Sequence, residues 1–263
     1  MNGLSATLVL CLAVAAYGFP GDVETQIVGG KDAAVGQFPY QVSLRQNGSH
    51  FCGGSIINNR YILTAAHCVE GDSPSKITVH AGTIRLDQPG DIYAAEKIVT
   101  HRDFNWLSLV NDVALIRVNK NIAFTNLVKP IALASGSKTY EGSACILSGW
   151  GTTRVNGKEP TILQWINLII ETNAKCKQAH REVQASHICS YTKVGEGACH
   201  GDSGGPLVIG GTQVGIVSFG QPCAVGEPDV YTRVSSFTDW IKNHQNYMNQ
   251  DLQEPPADGV YIL

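Results

Sequence analysis

Three short segments hold the residue types that could together break a peptide or ester bond: Leu63-Thr64-Ala65-Ala66-His67-Cys68, Asn111-Asp112-Val113-Ala114-Leu115 and Gly201-Asp202-Ser203-Gly204-Gly205-Pro206. A serine hydroxyl is a poor nucleophile at neutral pH. It needs an imidazole to take its proton, and the imidazole needs a carboxylate to hold it in the right tautomer. His67, Asp112 and Ser203 supply one of each, in the chain order His, Asp, Ser. The glycines around Ser203 permit a sharp turn in which the amides of Gly201 and Ser203 converge on a developing oxyanion. Each residue taken alone has an ordinary structural explanation; the three segments together point to nucleophilic hydrolysis, with Ser203 as nucleophile, His67 as general base and Asp112 as its orienter.

Two other readings compete. Gly201-Asp202-Ser203-Gly204-Gly205 also satisfies the G-x-S-x-G elbow of esterases, but that elbow leads into a helix and precedes its Asp and His in the chain. Here Pro206 and a strand-like run follow, and both partners come earlier. A non-catalytic homologue that binds partners or regulates would commonly have lost a member of the trio, and this chain has lost none.

The elements that must position these residues read as strands. Short β-branched and apolar runs occur at Gln41 to Leu44, Ser55 to Ile57, Tyr61 to Thr64, Ile77 to His80 and Val113 to Val118. A second set follows at Cys145 to Leu147, Leu163 to Ile170, Leu207 to Ile209, Gln213 to Ser218 and Val230 to Val234. Turn residues such as Asn47, Gly48, Asn58, Asn59, Pro89 and Gly90 separate them. No strand–helix–strand alternation appears, which argues against a parallel sheet. One helix is read, near the end, with Ser236 as N-cap and Phe237, Trp240, Ile241 and His244 on one face. The fold class is therefore all-β, in two similar halves.

These segments, with Ile27-Val28-Gly29-Gly30, resemble the chymotrypsin and trypsin family of serine proteases over roughly Ile27 to His244, most closely the arthropod chymotrypsin and collagenase-like members. The resemblance implies two antiparallel six-stranded β-barrels with the site in the cleft between them and a helix at the end. It implies that a new Ile27 ammonium pairs with Asp202 after activating cleavage, and that His50, backed by Ser43, holds Asp202 before it. A buried, partnered ammonium makes such activation a conformational switch. It also implies the disulfides Cys52–Cys68, Cys176–Cys189 and Cys199–Cys223, each worth about 2–4 kcal/mol. Cys145 is then left over, because Ile209 stands where vertebrate relatives place its partner; an inert buried thiol is expected.

The chain departs from the family at two places. Gln26 stands where trypsin-like activators need Arg or Lys, so an activating protease that tolerates Gln, or none at all, is expected. At the base of the primary pocket, six positions before Ser203, stands Gly197 and not the Asp of trypsins. Ser218, Phe219 and Gly220 resemble the segment that pairs with substrate backbone, and Asp229 falls on the pocket wall. Gly197 with Asp229 implies mixed specificity: Leu, Phe or Tyr in the space left by glycine, and Lys or Arg against the carboxylate. His200 falls at the pocket entrance, where a solvated surface histidine is the simpler reading.

Composition fits a secreted enzyme. The chain has 263 residues, 28 of them glycine, with 19 Lys and Arg against 22 Asp and Glu. The first 26 residues hold Asp22 and Glu24 and no basic side chain, so the remainder is 19 against 20 and carries no nucleic-acid footprint. Leu8 to Ala16 is apolar, too short to span a bilayer, and ends in small residues, as a signal peptide does. Boundaries are read as a signal peptide over 1–16 with its end between 16 and 18, an activation propeptide over 17–26, a peptidase domain over 27–246 divided at 130/131, and a polar tail over 247–263. The final helix is placed with the second barrel. Eight cysteines, of which Cys11 leaves with the signal, favour disulfides over metal. Asn47-Gly48-Ser49 is an N-glycosylation sequon in an expected hairpin loop. No cofactor and no required metal are expected; the expected partners are protein or peptide substrates and protein protease inhibitors, with no membrane and no nucleic acid, and the chain is read as a monomer with a digestive role.

Overall fold

A computed structural model describes residues 27–250. After the short strand β1 (Lys31–Asp32) come β2 (Gln41–Gln46), β3 (Ser49–Ile56) and β4 (Tyr61–Thr64), the one-turn helix α1 (Ala66–Val69), then β5 (Ile77–Ala81), β6 (Asp91–Thr100) and β7 (Ala114–Val118). Strands β2 to β7 close a six-stranded antiparallel barrel in the order β2-β3-β4-β7-β6-β5. The β2–β3 hairpin shows how local sequence sets register. Asn47 and Gly48 both take positive φ, 51° and 82°, the two-residue turn whose twist matches the strands, and it places Gln46 opposite Ser49.

The second half holds β8 (Ala132–Leu133), β9 (Ala144–Gly149), β10 (Gln164–Glu171), helix α2 (Asn173–Ala179), β11 (His187–Tyr191), β12 (Pro206–Ile209), β13 (Thr212–Phe219), β14 (Asp229–Arg233) and helix α3 (Thr238–Gln250). Here β10-β11-β14-β13-β12-β9 is closed by pairing of β9 with β10, giving a second six-stranded antiparallel barrel. Strand β1 adds to β10 of this barrel, although it precedes the first one in the chain. No helix among the described residues is long and apolar enough to cross a membrane.

Each barrel has its own apolar interior. Val42, Leu44, Ile62, Leu63, Val79, Leu115 and Ile116 fill the first, and Leu147, Leu168, Ile170, Ile188, Leu207 and Tyr231 the second. Burying one such side chain is worth about 1.5–3 kcal/mol, so these interiors dominate the stability. Strand β10 alternates buried and exposed positions as a half-buried strand must.

The elements differ from the expectations in specific ways. Strands β6 and β11 escape the sequence reading: β6 mixes Ile, Tyr, Val and Thr with Asp91, Glu96 and Lys97 and has irregular burial, and β11 contains His187 and Cys189 where β-branched residues were sought. Helix α2 is also missed; its signal is Thr172, whose hydroxyl accepts from Lys175 N at 3.1 Å as an N-cap. Ser236 is not the cap of the last helix. It ends a separate 3-10 turn over Val234–Ser236, and α3 starts at Thr238 because burial of Val234 and Phe237 bends the chain first. Helix α3 runs on through Gln250, past residue 246, and Ile241 and Met248 join the apolar cluster of the first barrel. Arg117, buried in β7, donates to the Met248 carbonyl at 3.2 Å and so caps the far end of the helix.

Three disulfides join Cys52 to Cys68, Cys176 to Cys189 and Cys199 to Cys223, the pairings that the family resemblance implied. Cys145 is a buried free thiol whose pKa burial pushes up to about 12, which keeps it in the unreactive protonated form.

Candidate active site

His67 and Asp112 meet where β4 ends and β7 begins. Strand β4 stops at Thr64 and the chain turns through Ala65 into α1, which carries His67. Asp112 sits two residues before β7 and is fully buried. Its carboxylate accepts three hydrogen bonds: from His67 N at 2.8 Å to Oδ1, and from His67 Nδ1 at 2.7 Å and Ser218 Oγ at 2.5 Å to Oδ2. An ionised carboxylate can only accept, so Nδ1 carries the proton and Nε2 of the neutral ring is left as a base. Thr232 Oγ1 donates to the Asp112 carbonyl at 2.7 Å. Ser218 and Thr232 belong to β13 and β14, so the second barrel fixes a carboxylate that the first one supplies.

Ser203 approaches from the second barrel, just ahead of β12. Its carbonyl accepts from Gly53 N at 2.8 Å. Gly204 has φ +75°, and a Cβ there would lie 2.2 Å from Thr64 Oγ1, 2.7 Å from Gly53 O and 3.2 Å from Ala65 N. Only glycine permits that approach, which presses the serine turn against the turn that leads to His67. Among the described residues no hydrogen bond joins Ser203 Oγ to His67 Nε2; contacts of this kind often close only when substrate is bound.

Two amides beside Ser203 are free. Among the described residues, neither Gly201 N nor Ser203 N donates to any group, whereas the carbonyls on the same peptide planes are pinned. His200 O accepts from Thr152 N at 2.7 Å, and Asp202 O accepts from Gly205 N at 3.0 Å. Half-buried, unpaired N–H groups are uncommon because leaving them so costs stability. Two such amides flanking Asp202 are available as donors to an incoming oxyanion.

Asp202 points inward. Its Oδ1 accepts from Gly151 N at 2.8 Å and its Oδ2 from Cys199 N at 2.9 Å, while burial raises its pKa to about 7. Gly149 and Gly151 are obligatory here, since a Cβ on either would come within 2.2 Å of this carboxylate. His50 does not hold Asp202, contrary to the expectation. Its Nδ1 accepts from Ser43 Oγ at 2.8 Å, as foreseen, but its Nε2 donates to the Gly201 carbonyl at 3.0 Å. Asp202 accepts from two amides, and the His50 ring reaches the Gly201 carbonyl in its place; burial keeps His50 neutral, with its pKa lowered to about 4. Ile27 is fully buried among second-barrel residues, and Val28 O accepts from Gly197 N at 3.3 Å, so the Ile27–Gly30 segment docks on the loop before Ser203.

A cavity of about 160 Å³ opens next to Ser203, lined by Ala198, His200, Ser218, Phe219, Gly220 and Asp229 among others. Asp229 therefore faces the cavity. Its Oδ2 accepts from Ala198 N at 2.7 Å, and it lies between Gly197 and Gly220, where Cβ atoms would fall 2.5 and 3.3 Å from its oxygens. Burial, with a single amide to offset it, raises its pKa to about 8. Exposed His200 borders the cavity mouth, as placed from the sequence. Ser218 has a second task that the sequence did not disclose, since its hydroxyl holds Asp112. The supports from the Thr152 amide and the Thr232 hydroxyl were missed as well, because neither group carries a signature of its target in the sequence.

Cys52, His67 and Cys68 bring ligand-type atoms within 4.8 Å of one another, but the two sulfurs are bonded to each other and offer no thiolate to a metal.

Residues 27–241 match the protein family described as Trypsin. Among curated proteins, the chain is 52% identical to Chymotrypsin-2 of Vespa crabro over 219 residues, covering 83% of this chain and 100% of that protein. It is 38% identical to Trypsin alpha-4 of Lucilia cuprina, covering 85% of this chain and 89% of the relative. It is likewise 38% identical to Serine protease 1 of Rattus norvegicus, covering 91% of this chain and 98% of the relative.

Proposed function

The chain belongs to the trypsin family and is a serine endopeptidase, and from that premise we propose that Ser203, His67 and Asp112 cleave peptide bonds through an acyl-enzyme. His67 Nε2 takes the Ser203 proton as Oγ attacks the scissile carbonyl, and Asp112 stabilises the imidazolium that forms. The amides of Gly201 and Ser203 receive the oxyanion. His67 then gives its proton to the leaving amine, and water repeats the sequence to release the acid. The observation that carries this reading is the Asp112 carboxylate, buried and donated to by both His67 and Ser218. Among the roles drawn from the resemblance, the pairing of a new Ile27 ammonium with Asp202 is supported by the burial of both residues.

Specificity is proposed to be chymotrypsin-like and broad. Gly197 and Gly220 leave room for Leu, Phe or Tyr before the scissile bond, and Asp229 offers a carboxylate to Lys or Arg. A neutral Asp229 hosts an apolar side chain without burying a bare charge, which would be costly. The test is a substrate panel varying that residue, run on enzyme whose terminus is confirmed as Ile27. Efficient cleavage after Phe and Leu with measurable cleavage after Arg supports the reading; strict Arg and Lys preference contradicts it.

Secretion as a precursor, activation after Gln26 by a protease that tolerates Gln, the division of 27–246 at 130/131, occupancy of Asn47 by glycan, inhibition by protein inhibitors and a monomeric state complete the proposal. Residues 1–26 and 251–263 lie outside the described residues, so the signal, the propeptide and most of the tail rest on sequence alone. Asn47 itself is exposed at the tip of the β2–β3 hairpin, where a glycan has room.

A further inference from the structure

Arg45 is a buried cation of the first barrel, and among the described residues no carboxylate pairs with it. Its guanidinium donates to three oxygens: Nη1 to Leu86 O at 2.8 Å, Nη2 to Gln88 O at 3.3 Å and Nε to Ser43 Oγ at 3.1 Å. Two of these contacts dock the loop between β5 and β6, and the third leads inward. Arginine can only donate, so Ser43 accepts from it and has its own proton left for His50 Nδ1, 2.8 Å away. That contact fixes the tautomer in which His50 Nε2 carries the hydrogen and donates to the Gly201 carbonyl at 3.0 Å. Burial first, and the Arg45 charge after it, lower the His50 pKa and leave Nδ1 free to accept. Strand pairing builds the line. Leu44 pairs with Cys52 and Arg45 with His50, so Phe51 is the extra residue of a bulge that sets His50 directly opposite Arg45.

The Gly201 carbonyl belongs to the peptide that lies between the two whose amides are free. The peptide before it is held at His200 O by Thr152 N, and the peptide after it at Asp202 O by Gly205 N. His50 holds the middle one. Gly201 has φ +100°, and glycine lacks the side chain that would otherwise limit rotation of that plane. A rotation there would redirect the amides on either side. With a donor-only group at its head, the line Arg45, Ser43, His50, Gly201 has one direction throughout. We propose that Arg45 is a positioning residue for the oxyanion site, holding the Gly201 peptide through Ser43 and His50 so that the amides of Gly201 and Ser203 stay available to one oxygen. The inference deepens the proposed function and rests on Ser203 being the nucleophile and those two amides its oxyanion donors.

The test compares Ser43→Ala, Arg45→Met, the double variant and Arg45→Lys in enzyme beginning at Ile27, with active sites counted by organophosphate labelling of Ser203. A loosened oxyanion site should lower kcat on a peptide amide substrate by about tenfold to a hundredfold while KM changes little. Ser43→Ala keeps Arg45 and its loop contacts, so it decides the matter even where Arg45→Met does not fold. The double variant should be no slower than the slower single one, because members of one line are not additive. Arg45→Lys, still a donor-only cation, should recover most of the lost kcat. Affinity for a peptide aldehyde, whose adduct with Ser203 carries an oxyanion-like oxygen, should fall by the same factor as kcat, whereas the peptide amide of the same sequence should bind as before. Native kcat and native aldehyde affinity in labelled Ser43→Ala, or additive losses in the double variant, would make Arg45 a loop anchor alone and overturn the proposal. Failure of the native enzyme to label at Ser203 overturns the serine reading and this inference with it.

Discussion

Asp112 shows how much of the chemistry rests on single hydrogen bonds. Its Oδ2 accepts from both Ser218 and His67 Nδ1 while Oδ1 accepts from the His67 amide, so all three contacts need an acceptor at this position. Asp112→Asn would keep the shape and turn an acceptor into a donor, forcing the wrong tautomer. A loss in kcat of about ten-thousand-fold is expected by analogy with the trypsin triad, from which that magnitude comes; stopped assays on folded protein check it. Asp229 carries a pH signature. Its raised pKa of about 8 means that the empty pocket holds a neutral acid below that pH and a carboxylate above it. Because kcat/KM reports groups in the free enzyme, the ratio for Arg over Phe substrates should climb as pH rises through about 8 and level off above it. Asp229→Asn should flatten this ratio. A ratio independent of pH in the native enzyme would mean that Asp229 does not meet the cation.

At the scale of elements, the site depends on turns that bring two barrels together. Gly204 is the tightest of these. Gly204→Ala meets Thr64 Oγ1, Gly53 O and a left-handed backbone at once. It should displace Ser203 from the His67 turn and cut kcat by about a hundredfold or more, with a lowered unfolding midpoint; an alanine variant of near-native activity would show that the approach is not required. The candidate triad and the glycine turn stood out in the sequence because their chemistry restricts residue type, and the cysteine pairs followed from the family resemblance. Strands β2, β4 and β7 were legible from apolar runs. Strand β6 was not, because Asp91, Glu96 and Lys97 interrupt its Ile, Tyr and Val and its burial is irregular, so no clean two-residue period marks it. The reach of Ser218 and Thr232 to Asp112 was invisible because it is made by the docking of β13 and β14 against the first barrel, a tertiary event. His50 erred for the opposite reason: its partner Ser43 is fixed by β2–β3 pairing, while its far nitrogen depends on which way the Asp202 turn faces.

Across the whole molecule, the Ile27 segment and Asp202 couple the start of the mature chain to the site. Asp202 is fully buried with a pKa near 7, against an ordinary carboxylate value near 3.8. The folded state then holds the proton more tightly than the unfolded one. The stability this contributes is full below about pH 4 and is lost as pH rises through about 7. An Ile27 ammonium beside Asp202 would lower that pKa and remove the loss. The precursor should therefore lose thermal stability between pH 4 and 7, while the form beginning at Ile27 should not, as scanning calorimetry on both would record. Parallel pH dependences in the two forms would exclude the pairing.

The most direct measurement is to treat the form beginning at Ile27 with a fluorophosphonate and map the adduct by peptide mass spectrometry. A nucleophilic Ser203 served by His67 gives one adduct per chain, on Ser203, with peptidase activity falling in step, and none in His67→Ala. Peptide cleavage that survives without an adduct on Ser203, or an adduct at another residue, would contradict it.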